Sequence, residues 1–172
     1  MNVIVTALAA AIAAAFVSIP LVRHRYGAAA MASAQNELAR QGVRTTALRE
    51  NGMRFDASGH EWAAPAAIAT VLFTVAGVNL ADVEWAPALN LVVFALVLAG
   101  NGVIVYSNAT AAKSVRAAFL RKNDPELMRV DVPVLLKAAE AGFPEWTWTL
   151  QTIRNVVVFG AATLGILVVL FG

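Results

Sequence analysis

Four stretches of about twenty residues, each almost free of charge, constrain this chain more than anything else in it. They run over residues 3–22, 62–80, 87–107 and 152–171, and the only Asp, Glu, Lys or Arg within them is Arg154. At 1.5 Å per residue such a run crosses the ~30 Å of a bilayer's hydrocarbon core. In lipid every backbone amide must find its partner inside the protein, so only helices and closed barrels can span it. These runs are continuous and lack the period-two alternation of barrel strands. The expected fold is all-α: one integral membrane domain of four transmembrane helices, with two partly structured cytoplasmic loops at residues 23–61 and 108–151.

Composition agrees. Of the 172 residues 59% are hydrophobic and 14% charged, against roughly 45–50% and 25% in soluble domains. The excess apolar surface needs lipid as its neighbour. A signal peptide is a rival reading of the first run, but only Met1 and Asn2 precede it, and the basic residues of "RHRYG" follow it. That order fits a retained helix with its N-terminus outside.

Basic residues set the expected orientation. Of thirteen Lys and Arg residues, six lie within 23–61 and six within 108–151, while the turn "ADVEWAPA" between the second and third runs has none. The positive-inside rule then places both long loops in the cytoplasm and both termini outside. The pI near 9.4 follows from this topology, so no nucleic-acid partner is needed to explain it. The four tryptophans, Trp62, Trp85, Trp146 and Trp148, all fall at expected membrane interfaces. A bias towards Arg and Ala points to a GC-rich bacterium, and hence to the inner membrane.

The long loops carry local signals. In "AAAMASAQNELAR" Met31, Ala34 and Leu38 share a helix face, and Gly42 stands at the position of a C-terminal cap. Asn51-Gly52 offers a two-residue hairpin turn, although the register would set Arg49 opposite Arg54. The third run has no breaker before "NDP" and can continue to about Leu120, and Pro133 to Gly142 reads as a short amphipathic helix.

Chemistry is sparse. With no cysteine, disulfides, thiolate metal sites and cysteine nucleophiles are excluded. No phosphate loop, nucleophile elbow or His-Glu-x-x-His motif occurs, so an enzyme is disfavoured and no cofactor is expected. His24, Asp56, His60 and Glu61 form the one conceivable set of metal ligands; a hydrated shoulder and aromatic anchor at the foot of the second helix is the plainer account of "HEW". Within the bilayer Asn101 needs a partner, and Gly100 and Gly102 beside it would let another helix approach. Small residues at Ala10, Ala14 and Ser18, and at Ala161 and Gly165, make smooth helix faces of the same kind.

These features favour an accessory or assembly subunit of a larger bacterial inner-membrane complex, an energy-transducing one included, whose partners are lipid and other membrane subunits or copies of itself. Met53, Phe55, Val115 and Phe119 are the residues expected to dock. A self-assembling, holin-like pore and a small membrane enzyme or ligand binder are the alternatives.

Overall fold

A computed structural model describes residues 2–56 and 62–172. Among these the regular structure is all helix, with no strand: α1 Asn2–Arg40, α2 Ala47–Glu50, α3 Ala63–Leu80, α4 Ala86–Ala109, α5 Ala111–Arg121, α6 Pro125–Met128, α7 Val132–Glu140 and α8 Trp146–Phe171. Four of them, α1, α3, α4 and α8, are long and apolar enough to cross a membrane. The four apolar runs lie within them, Trp62 at the start of the second excepted, and α1 and α8 extend beyond theirs.

Two compact units divide the chain. The first comprises Met1–Pro20, Gly59–Val105 and Trp148–Gly172. Its core is built from Val5, Ala9, Ile12 and Phe16 of α1, Leu72 and Val75 of α3, Phe94 of α4, and Val158 and Ala162 of α8. Outward, the same helices expose large apolar side chains, among them Phe73, Leu96, Val103, Val156 and Leu167. Lipid is as apolar as these residues, so what holds the helices together is the fit of their side chains and a few polar contacts. One tight fit is at Gly165, where a Cβ would lie 2.4 Å from the Phe94 ring.

Leu21–Ser58 and Tyr106–Thr147 make the second unit, which has a conventional core of Ala34, Leu38, Val43, Leu48, Phe119, Leu127, Val132 and Leu135. Here burial from water supplies the stability, about 1.5–3 kcal/mol for each fully buried large apolar side chain. Two helix ends are shaped alike. Gly42 and Gly52 take positive φ, +70° and +67°, Val43 N–H and Met53 N–H donate back to the Leu38 and Leu48 carbonyls, and each of these apolar pairs packs in or against the core. Asp124 and Asp131 cap α6 and α7, their carboxylates accepting from the Glu126 and Val134 amides, with proline in the first turn of each helix.

Three local readings change. Helix α1 does not stop near Val22, where the first apolar run ends; it runs unbroken to Arg40, with Pro20 inside it. Polarity ends the lipid-facing stretch, but the residues that follow remain good helix formers. Asn51-Gly52 closes α2 instead of turning a hairpin, since the positive φ of glycine serves either purpose. The expected long third helix is divided at Thr110, whose φ of −104° and ψ of 5° separate α4 from α5.

Candidate functional site

Polar side chains are scarce in the first unit, and its one charge inside an apolar helix is Arg154. This residue lies on the second turn after Trp148, where the sequence allows a long side chain to reach out to the interface. The structure turns it inward, leaving it only 6% exposed. One guanidinium nitrogen, Nη2, donates to Asn101 Oδ1 at 2.9 Å, and Nη1 donates to Asn155 Oδ1 at 3.1 Å. The guanidinium carbon sits 5.1 Å from the centroid of the Phe16 ring. Among the described residues no carboxylate is within ion-pair distance of it.

Asn101 is fully buried. Its Oδ1 is satisfied by Arg154, but its Nδ2 has no hydrogen-bond partner among the described residues. The centre therefore holds a positive charge facing neutral amides and a ring, plus an idle N–H donor. The ring's negative face offsets part of the charge. Two neutral acceptors leave most of the five guanidinium N–H groups without a strong partner, and a buried, uncompensated charge is costly.

Beside this pair an apolar groove of about 460 Å³ is lined by Phe16, Leu72, Val93, Val97, Gly100 and Ile104, among others. Phe16 belongs both to the groove wall and to the surroundings of Arg154. Gly100, next to Asn101, gives the groove width: a Cβ built there meets nothing within 4 Å, and the same holds at Gly102. The expected helix contact at Gly100, Asn101 and Gly102 thus divides. The Asn101 amide does bond to a neighbouring helix, while the two glycines have open space beside them.

Small residues are also presented outward. On α1, Ala7, Ala11 and Ala14 are exposed at a spacing of i, i+4, i+7, and Ala10 and Ser18 beside them are half-buried. The opposite side, Val5, Ala9, Ile12 and Phe16, fills the core. The alanine face therefore lies on the side of α1 away from this core.

The residues considered as metal ligands are only partly placed. His24 lies in α1, and Asp56 accepts two hydrogen bonds from Arg54, at 3.2 and 3.0 Å. His60 and Glu61 lie outside the described residues. Among the described residues no three His, Asp or Glu side chains gather as a metal site would require. Of the four residues expected to dock, Phe119 is 2% exposed in the second core and Met53, Phe55 and Val115 pack against it, so their apolar surface is used within the unit.

Sequence reasoning did not anticipate a cluster around Arg44. Its guanidinium bonds Glu50 at 2.8 Å, Asp124 at 2.6 Å and Glu126 at 2.5 Å, and its backbone N–H donates to Glu126 as well. One cation thereby ties the α1–α2 connection to α6. These acids hold the Arg44 guanidinium well above its usual range, while Arg44 holds the Asp124 carboxyl below the usual carboxylate range.

No protein family, curated protein or solved structure matches this chain.

Proposed function

We propose that this protein is an accessory subunit of a larger bacterial inner-membrane complex, joined to a neighbouring transmembrane helix through the outward face of α1. The observation that carries this reading is the exposed alanine stripe at Ala7, Ala11 and Ala14. In lipid, large apolar side chains gain nothing by leaving acyl chains for a partner helix, whereas small residues let two backbones approach and form dense contacts. An outward face of alanine suits a helix neighbour better than it suits lipid. The concentration of basic residues within 23–61 and 108–151 supports a topology with those segments in the cytoplasm and both termini outside.

The direct test is affinity purification from the native membrane in mild detergent, followed by mass spectrometry of the retained chains. A fixed set of foreign membrane subunits in constant proportion supports the reading. Recovery of this chain alone, as a monomer, contradicts it.

A further inference from the structure

We propose that the Arg154–Asn101 pair and the groove beside it bind a long-chain fatty acid, its carboxylate on the pair and its chain between α1, α3 and α4. Three observations converge. Arg154 is a buried cation whose hydrogen-bond acceptors are the neutral amides of Asn101 and Asn155, and Asn101 Nδ2 is a fully buried donor without a partner among the described residues. A planar carboxylate has two acceptor oxygens, one for the guanidinium and one for this idle N–H. The groove supplies the third: its walls are apolar, and it shares Phe16 with the surroundings of Arg154 and lies one residue from Asn101.

The chemistry selects an anion, because a neutral ligand leaves the buried charge uncompensated. Depth selects a carboxylic acid over a lipid phosphate. Arg154 is six residues along α8 from Trp148, about 9 Å at 1.5 Å per residue, which is below the level of headgroups anchored near interfacial tryptophan. A carboxyl group can enter hydrocarbon protonated and ionise beside the guanidinium, its proton returning to water. A phosphate ester, whether the diester of a phospholipid or the monoester of lysophosphatidic acid, has no such neutral form near neutral pH.

The test uses the full-length protein in phosphatidylcholine nanodiscs and measures binding of radiolabelled oleate, with methyl oleate and lysophosphatidic acid as competitors. Oleate is expected to bind at least tenfold more tightly than its methyl ester, and Arg154→Gln to lose at least tenfold. Gly100→Leu, which fills the groove at a position where a Cβ meets nothing and leaves the polar pair intact, is expected to lose as much. If Arg154→Gln does not fold, the ester comparison and Gly100→Leu decide. Equal binding of acid and ester, undiminished binding by Gly100→Leu, or stronger competition by lysophosphatidic acid than by oleate itself would overturn the proposal. Because binding by the isolated chain needs no partner subunit, its outcome is independent of the subunit reading.

Discussion

Asn79 near the end of α3 and Asn90 near the start of α4 bond to each other twice, the Nδ2 of each donating to the Oδ1 of the other at 2.9 and 2.7 Å. Both are 2% exposed, and Asn79 Nδ2 also reaches the Val75 carbonyl. The pair fastens one end of the α3–α4 hairpin. Replacing Asn79 alone by Leu strands the Asn90 amide in an apolar setting, at an expected cost of about 1–3 kcal/mol. The Asn79→Leu/Asn90→Leu double variant should be destabilised by less than the two single changes together, the difference being about 1 kcal/mol. Unfolding in mixed micelles of the four proteins measures this, and strict additivity would show the reciprocal bonds to be uncoupled.

The acids around Arg44 predict a sign for pH dependence. Arg44 holds the Asp124 carboxyl below its usual range, and the Thr46 hydroxyl followed by Arg44 does so for Glu50. A carboxylate with a depressed folded-state value gives stability that is complete above its unfolded value of about 4 and is lost as pH falls through the folded one. Melting temperature should therefore drop on acidification below about pH 4, and Arg44→Gln should melt lower at neutral pH but lose less on acidification. Parallel pH profiles for the two proteins would remove the cluster as the cause.

Glycines separate close approach from open space. At Gly142 a Cβ would stand 2.4 Å from Ala30 Cα and 2.5 Å from its nitrogen, which are backbone atoms that cannot step aside. Gly142→Ala should cost about 1–3 kcal/mol through overpacking. Gly100→Ala meets nothing and should be neutral or stabilising by up to about 1 kcal/mol, from the greater helix propensity of alanine. Thermal denaturation of both variants checks the contrast, and equal effects would refute it.

At the end of α1 the argument concerns conformation, because Gly42 has a φ of +70° and nothing near its would-be Cβ. Gly42→Ala should cost about 1–2 kcal/mol for placing a Cβ in the left-handed region, and Gly42→Asn less, as asparagine tolerates it better. Identical losses in chemical denaturation would point to something other than backbone strain.

How much of this was legible in the sequence depends on the length scale of each signal. The spanning helices were, because a twenty-residue apolar run has one physical explanation. Hydropathy records where lipid-facing side chains end, though, and not where the helix ends, so the continuation of α1 through Gly27 and on to Arg40 was hidden. Asn101 stood out as an amide needing a partner, but its partner is fifty-three residues away, and Arg154, close to a helix start, read as a side chain reaching for the interface. Phe119 and Val115 showed an apolar face without showing what covers it. Two of the three acids that meet Arg44, Asp124 and Glu126, are about eighty residues from it, beyond the reach of any local pattern.

The most direct test of the subunit account is site-specific photo-cross-linking in native membranes, with a benzophenone amino acid placed at Ala14 on the alanine face of α1 and, as control, at Val103, an exposed apolar residue of α4. The account predicts one discrete heavier adduct from position 14 and only lipid-sized additions from position 103. The absence of any protein adduct at position 14, or the same adducts from both positions, would contradict it.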